Sequence, residues 1–245
     1  MQYYYYKYIL KYALNAVRAI IAPSNHTKET IQSIYKLSPD KIHVIHYGIQ
    51  SIYLKEIKNF NVDKEKFILY CGRIDATKNI IGILKAFGMI CDNIDHKLIL
   101  VGHGEKETMK TIHEDVQCKN KIENGRILFK GYIPNNEVLE LYKKASLFIF
   151  PSFYEGFGFP PLEAMACGCP VVASRETSLP EVCADAAYYV DSYDINSIAE
   201  GMYVVLTDSK IRSNLIERGL ERAKLFTWEK SAKEHVKLFR NIGKH

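Results

Sequence analysis

The sequence SFYEGFGFPPLEAMACGCP, residues 152–170, carries the arrangement on which the fold and function predictions depend. Two acidic residues, Glu155 and Glu163, lie eight positions apart with two glycines between them. The pair Pro160 and Pro161 has fixed φ angles and no N–H, so it fits the first turn of a helix. The sequence therefore predicts Glu155 in the loop before a helix and Glu163 in its first turn.

This loop and helix start have the chemistry of a nucleotide-sugar site. Gly156 and Gly158 allow the backbone to approach a ligand closely, and N–H groups at a helix start attract phosphate. Each carboxylate can accept hydrogen bonds from a sugar or ribose hydroxyl. An ordinary solvated loop is the alternative, and it is the better interpretation of a single glutamate but not of the whole arrangement.

Apolar runs alternate with amphipathic segments from residue 67 onward. Strands are predicted over 67–71, 98–101, 127–130, 147–150, 171–173 and 187–190. Helices are predicted at about 79–91, 105–117, 135–144, 161–167, 178–183, 194–206 and 209–224. This alternation indicates an α/β fold, a parallel sheet with helices on both faces. Ligands of such sheets bind at the carboxyl ends of strands, and every candidate motif follows a predicted strand.

The two ends of the chain show other patterns. Helices are predicted over 2–18 and 27–35, and strands over 19–22 and 41–45. Residues 50–66 are polar with no clear period, which indicates a linker. A last helix is predicted over 227–242, with Thr227 as its N-cap.

Three further loops offer groups that suit a nucleotide. Arg73 and Lys78 follow the first strand of the domain and could neutralise a diphosphate. Gly102 follows the next strand and could admit a phosphate or the nucleoside. Backbone groups of Tyr132 and Ile133 could hydrogen-bond to the edge of a base. Neither the loop at Gly72 nor the loop at Gly102 matches the G-x-G-x-x-G fingerprint of dinucleotide-binding proteins, which argues against an NAD-dependent enzyme.

These motifs together resemble those of the retaining glycosyltransferases of family 4, which have the GT-B fold of two Rossmann-like domains. The resemblance covers about residues 19–235, with the motifs in the family's order. The segments that carry it are the E-x7-E stretch, Cys71–Asn79, Val101–Glu105, Gly131–Pro134 and Ala22–Thr27.

The resemblance implies a role for each candidate residue. The predicted catalytic residues are Glu155, Arg73 and Lys78. The two cations would hold the donor diphosphate and stabilise the leaving nucleotide, and Glu155 would lie beside the donor sugar. The predicted donor-binding residues are Gly102, Tyr132, Ile133, Gly156, Phe157, Gly158, Phe159 and Glu163, of which Glu163 would accept hydrogen bonds from the ribose hydroxyls.

The resemblance also implies a division into domains and an activity. Residues 1–50 would be a remnant of the N-terminal acceptor domain, 51–66 a linker, 67–225 the donor-binding Rossmann-like domain, and 226–245 a C-terminal helix that packs back on the remnant. The implied reaction is transfer of a hexose, with a weak preference for mannose, from a GDP- or UDP-sugar in polysaccharide or glycolipid biosynthesis. The chain alone is expected to bind nucleotide but to transfer little.

Two other functions stay open at this point. One is a non-catalytic nucleotide-sugar-binding module or subunit that a separate acceptor-domain polypeptide completes. The other, which the sequence favours less, is a sugar phosphorylase or nucleotide-sugar epimerase on the same fold.

Charge and cysteine content restrict the other partners. Residues 1–60 carry the whole net charge of +5, because they hold eight Lys or Arg residues and three acidic residues. That basic, aromatic segment could contact an anionic membrane surface, although a face for a polypeptide partner or a second copy is the preferred interpretation. Nucleic-acid binding is not expected. We expect a cytoplasmic protein, peripheral to a membrane at most, with no transmembrane helix.

No cofactor and no metal are expected beyond the nucleotide-sugar itself. The six cysteines include no C-x2-C pair, and there is no Asp-x-Asp to hold a diphosphate-bridging metal.

Overall fold

The computed structural model describes residues 5–58 and 63–243, which divide into two compact units. One unit contains the described residues up to Gly48 together with those from Phe226 onward, and the other comprises Ile49–Leu225.

The first unit is built on a small two-stranded parallel sheet, β1 with β2. Its elements up to residue 48 are a π-helical turn Tyr5–Leu10, α1 (Lys11–Ala16), β1 (Ile20–Ala22), α2 (Asn25–Tyr35), a 3₁₀ turn Pro39–Lys41 and β2 (Ile42–Val44). The helix predicted over 2–18 is therefore shorter and irregular, and residues 2–4 lie outside the described part. Ser24 caps α2 by accepting a hydrogen bond from the Thr27 N–H at 3.1 Å.

The second unit is a six-stranded sheet in the order β5-β4-β3-β6-β7-β8, with every neighbouring pair parallel. Its elements are α3 (Ser51–Glu56), β3 (Glu65–Cys71), α4 (Ile80–Ile90), β4 (Lys97–Val101), α5 (Lys106–Glu114), α6 (Val116–Glu123), β5 (Ile127–Gly131), α7 (Asn135–Lys144), β6 (Ala145–Phe150), α8 (Phe159–Ala166), β7 (Val171–Ser174), α9 (Leu179–Cys183), β8 (Ala187–Val190), α10 (Ile195–Thr207) and α11 (Ser209–Ala223). Short 3₁₀ turns occur at Ala76–Lys78 and Ala184–Ala186.

The sheet forms the middle layer of this unit. All six residues of β6 are buried, as expected for a strand covered on both faces. Helix α4 packs against α10, and α8 packs against α11. The predicted α/β fold is confirmed. The strand order is that of a doubly wound sheet. From β3 the chain adds strands first on one side of the sheet (β4, β5) and then on the other (β6, β7, β8), so the order reverses between β3 and β6. Ligands of such sheets bind beside that reversal point.

The segment predicted as a linker, 51–66, contains regular structure that was not predicted. Residues 51–56 form α3, because Tyr53 is buried and meets Tyr142 edge to face, with ring centroids 6.0 Å apart. Strand β3 also begins before the predicted residue 67, at Glu65.

The helix predicted over 105–117 is two helices. Asp115 separates them, because its carboxylate accepts a hydrogen bond from the Cys118 N–H at 2.9 Å and so caps a new helix, α6. Helix α6 was not predicted from the sequence.

Helix α12 (Trp228–Ile242) belongs to the first unit. Thr227 accepts a hydrogen bond from the Lys230 N–H at 3.1 Å, so the predicted N-cap is confirmed. The ring of Trp228 lies 5.8 Å from that of Tyr47, and a Cβ at Gly48 would lie only 2.0 Å from the Trp228 nitrogen. Within the described ranges, no helix is both long enough and apolar enough to cross a membrane.

Candidate functional site

The loops that follow β3 and β4 lie side by side. The Ile74 N–H donates to the His103 carbonyl at 2.9 Å, and the Glu105 N–H donates to the Ile74 carbonyl at 2.8 Å. Gly102 has φ +135°, and a Cβ there would lie 1.8 Å from the Gly72 carbonyl oxygen. A glycine at 102 is thus required by the close approach of the two loops.

The turn after β5 adjoins the same surface. The Gly102 N–H donates to the Gly131 carbonyl at 2.8 Å. The ring of Tyr132 is 70% exposed and stacks on His103, with centroids 5.6 Å apart and planes 9° apart. The residues predicted to recognise a base, Tyr132 and Ile133, therefore lie at the carboxyl end of β5, beside an aromatic surface on which a base could stack.

Asp75 shapes the loop that carries the two predicted cations. Its carboxylate accepts hydrogen bonds from the N–H of Thr77 at 2.9 Å and from the hydroxyl of Thr77 at 2.5 Å, which caps the 3₁₀ turn that ends at Lys78. The Nε atom of Arg73 lies 3.3 Å from the same carboxylate, while the Arg73 side chain is 76% exposed. Most of this guanidinium therefore remains accessible to a ligand.

Lys78 and Glu155 form an ion pair, with Nζ 2.7 Å from Oε1. Their side chains are only 19% and 12% exposed. The pair joins the loops after β3 and β6, and the Phe153 N–H adds a hydrogen bond to the Thr77 carbonyl at 3.0 Å. The sequence predicted Lys78 toward the diphosphate and Glu155 toward the sugar, and the structure brings the two charges into direct contact.

Helix α8 begins at Phe159, with Gly158 as N-cap at φ +107°. Pro160 lies in its first turn, as predicted. Glu163 is its fifth residue and so lies in the second turn. The prediction that placed it in the first turn is wrong, because the helix starts before the expected residue 161.

Glu163 is bonded to a tyrosine hydroxyl, that of Tyr142. The Tyr142 hydroxyl donates to its Oε2 at 3.4 Å. Burial raises the pKa of the Glu163 carboxyl to about 7, and the hydrogen bond from Tyr142 opposes part of that rise. Burial also raises the pKa of the neighbouring Cys71 thiol to about 11. The two glutamates therefore have different surroundings: Glu155 is ion-paired with Lys78, whereas burial raises the pKa of Glu163.

Sequence reasoning missed the residues that support these two glutamates. Tyr142 appears in the sequence only as an aromatic position of a predicted helix. Thr177 accepts a hydrogen bond from the Glu155 N–H at 3.0 Å, and Ser178 donates to the Glu155 carbonyl at 3.0 Å. Both lie in the loop after β7, where a Thr-Ser pair has no spacing that points to the site.

A groove of about 510 Å³ lies behind these loops. Asp75, Phe153 and Glu105 are among its lining residues, together with parts of α4, α5 and the loop before α10. Arg73, Lys78 and both glutamates are not among the described residues that line it. The predicted site is the open surface at the strand ends, and the groove adjoins it at Asp75, which lines the groove and pairs with Arg73. In the described part of the chain, no group of three or more His, Cys, Asp or Glu could hold a metal ion.

A model of the glycosyl transferases group 1 family matches residues 54–222, and one described as glycosyltransferase family 4 matches residues 1–51. The chain belongs to the glycosyl transferases group 1 family. Its motifs at 71–79, 101–105, 131–134 and 155–163 thus lie within a matched family domain, as the resemblance implied.

Relatives within the family carry related names. O-antigen chain mannosyltransferase B of Escherichia coli is 31% identical over 241 residues, which cover 93% of this chain and 62% of that protein. The N-acetyl-alpha-D-glucosaminyl L-malate synthase of Bacillus anthracis is 28% identical and covers 94% of this chain, with 57% of its own length matched. The chain therefore spans about 60% of the length of these curated relatives.

Solved structures agree with the fold. HepE of Anabaena in complex with UDP and glucose superposes with a TM-score of 0.81 at 18% identity, over 95% of this chain and 66% of that one. The sucrose-phosphate synthase of Thermosynechococcus elongatus gives a TM-score of 0.81 at 25% identity, over 96% and 61%. The second unit is thus the Rossmann-like half of a GT-B fold.

Proposed function

We propose that this chain binds the nucleotide-sugar donor of a retaining, metal-independent hexosyltransferase that acts in polysaccharide or glycolipid biosynthesis. The observation that carries the proposal is the Lys78–Glu155 pair at the reversal point of the sheet. There a cation for phosphate and a carboxylate for sugar hydroxyls stand side by side at the edge where such sheets bind ligands. The name of the E. coli mannosyltransferase relative favours mannose as the hexose.

Each charged residue has a place in the proposed reaction. The bond between the donor's anomeric carbon and its phosphate oxygen breaks, and a bond forms from that carbon to the acceptor hydroxyl on the same face. The acceptor's proton passes to the leaving phosphate oxygen. Arg73 and Lys78 offset the charge that develops on the phosphate, and Glu155 positions the sugar and stabilises positive charge at the anomeric carbon.

Glu163 holds the other end of the donor in this proposal. Ribose hydroxyls donate to its carboxylate, beside the Tyr142 hydroxyl that already does so. The base lies against the turn at Tyr132, and the sequence supports guanine and uracil equally. The relatives named above are transferases or synthases, which favours an enzyme over the non-catalytic module. No metal takes part, because the two cations supply the neutralising charge.

The two glutamates provide the test of this function. Glu163→Gln should weaken binding of nucleoside, nucleoside diphosphate and nucleotide-sugar alike, by roughly 1.5–3 kcal/mol. Glu155→Gln should leave nucleoside diphosphate binding unchanged or tighter, since it releases Lys78, and should weaken only the contribution of the sugar. Calorimetric titration with the three ligands, in the guanosine and uridine series, measures both effects.

Glu200→Gln is the matched control, because this exposed glutamate lies on α10 and should change none of the three affinities. If Glu155→Gln loses nucleoside diphosphate binding as severely as Glu163→Gln, the proposed roles are wrong.

The basic first segment is proposed to face a polypeptide, either an acceptor domain or a second copy, in the cytoplasm. Tyr8, Ile9 and Tyr12 are more than half exposed there, which suits a covered surface. If this surface faces a polypeptide, none of the protein should float together with vesicles rich in anionic lipid. Recovery that salt abolishes would place the protein on a membrane surface instead.

A further inference from the structure

The loop that carries Glu155 is held from behind by two consecutive hydroxyl side chains. Thr177 Oγ1 accepts a hydrogen bond from the Glu155 N–H at 3.0 Å. Ser178 Oγ donates toward the carbonyl oxygens of Glu155 and Phe157, each at 3.0 Å. Both backbone polar groups of Glu155 are therefore bonded to the short segment between β7 and α9.

Packing extends these contacts along the loop. A Cβ at Gly158 would lie 2.8 Å from Cδ2 of Leu179, and the side chains of Ser178 and Leu179 are fully buried. Residues 177–179 thus lie against residues 155–158 over their whole length. The Glu155 carboxylate itself is paired with Lys78, so both the backbone and the side chain of Glu155 are held.

Thr177 adopts an unfavourable backbone conformation to make its contact. Its φ is +56°, a region that a β-branched residue rarely adopts and that costs free energy. The other described non-glycine residues with positive φ are Lys36, Asn79 and Ala184, and none of these is β-branched. A glycine would relieve the strain at 177, so what the threonine adds is its side chain, whose Oγ1 is bonded to Glu155.

We propose that Thr177 and Ser178 are positioning residues, which fix the backbone of Glu155 so that its carboxylate points toward the donor sugar. Backbone strain tends to persist where a site requires it, and the strained residue here bonds directly to the predicted catalytic one. The inference rests on the proposed function, because it takes the role of Glu155 from there.

Thr177→Gly separates positioning from stability, since it removes the hydroxyl and relieves the strain together. The thermal midpoint of the full chain should stay the same or rise. Hydrogen exchange of the Glu155 amide, measured without ligand, should accelerate at least tenfold. The Kd of the nucleotide-sugar relative to that of the nucleoside diphosphate should rise at least fivefold, with the latter unchanged. The ligands are GDP with GDP-mannose and UDP with UDP-glucose.

Two variants complete the experiment. Thr177→Ser keeps the hydroxyl and should retain the wild-type exchange rate and affinity ratio. Lys36→Gly relieves a similar φ of +53° at the end of α2, so it should raise the midpoint and leave exchange at Glu155 and both affinities unchanged.

The positioning role is overturned if Glu155 exchange does not change in Thr177→Gly, or if exchange accelerates while the affinity ratio stays constant. It is also overturned if the midpoint falls and both ligands weaken equally, because the hydroxyl would then be structural. A wild-type chain that binds neither nucleotide contradicts the proposed function itself, whereas normal nucleotide binding with an unchanged ratio rejects only the positioning role.

Discussion

The Lys78–Glu155 pair is shielded enough for its two charges to depend on each other. Both side chains are less than a fifth exposed, and removal of one partner from such a pair leaves the other as an uncompensated charge. A donor diphosphate that approaches Lys78 would replace part of this interaction. Binding and stability are therefore coupled at this residue.

Lys78→Met should lower the free energy of unfolding by about 1.5–3 kcal/mol, the range for a lost hydrogen bond to a charged group. The double variant Lys78→Met/Glu155→Gln should regain about 1 kcal/mol of the lost free energy of unfolding. Urea denaturation measures both values. Lys66→Met is the control, since Lys66 pairs with Asp95 at 2.9 Å but both side chains are mostly exposed. Lys66→Met should lower the free energy of unfolding by less than about 1 kcal/mol. If Lys66→Met and Lys78→Met lower it equally, the buried pair is no stronger than an exposed one.

Glu163 should make stability depend on pH. Its carboxyl titrates near 4.5 in the unfolded chain and near 7 in the folded one. Between these values the folded state binds more protons at Glu163, so the contribution of this carboxyl to stability is fully present below pH 4.5 and is lost as the pH rises through 7. Glu163→Gln removes this pH dependence. The free energy of unfolding of the variant should exceed that of wild type by up to about 3 kcal/mol at pH 8 and should differ little from it at pH 4.5.

Urea denaturation at pH 4.5, 6 and 8 measures that difference. Glu200→Gln removes the same charge from an exposed site on α10 and should show a constant difference from wild type. If the difference in free energy of unfolding between Glu163→Gln and wild type is also independent of pH, the raised pKa of Glu163 is contradicted.

At the scale of elements, the strand ends are held by backbone contacts between loops. The β3 and β4 loops touch at Gly72 and Gly102, where a Cβ at 102 would lie 1.8 Å from a carbonyl oxygen. Gly131 also has a positive φ, +64°, but nothing lies within 4 Å of a Cβ there. Gly102 and Gly131 thus both have positive φ angles, +135° and +64°, but only Gly102 is packed against another loop.

Gly102→Ala should therefore lower the free energy of unfolding by more than about 3 kcal/mol or prevent folding. Gly131→Ala should cost about 1–2 kcal/mol, from the left-handed backbone alone, whereas the cost at Gly102 combines its φ of +135° with the clash against the Gly72 carbonyl. Denaturation curves of the two variants check this. Similar costs would mean that the two loops do not touch as described.

The regular elements were largely predictable because their signals are local. The buried runs of β3, β4 and β6 are continuous and apolar, and the Pro160-Pro161 pair marks the start of α8. Helix α3 escaped detection because six residues bury only one large side chain, Tyr53. The division at Asp115 depends on one capping hydrogen bond, which an amphipathic pattern does not reveal.

At the scale of the whole molecule, strand order decides what the sequence could not show. Lys78 and Glu155 are 77 residues apart and meet because β3 lies beside β6. The sequence named both residues from their motifs, but their contact follows only from that pairing. The supports at Tyr142 and Thr177 depend in the same way on elements that pack from other parts of the chain.

Titration of the whole chain with UDP and GDP, in EDTA and then in excess Mg²⁺, tests the central claim most directly. The claim is that Arg73 and Lys78, and no metal, hold a nucleoside diphosphate at the strand ends. At least one nucleotide should bind with a Kd between micromolar and millimolar, about −8 to −4 kcal/mol, equally in both buffers. Arg73→Ala should weaken it by roughly 1.5–3 kcal/mol. No binding of either nucleotide, or binding that requires Mg²⁺, would contradict the claim.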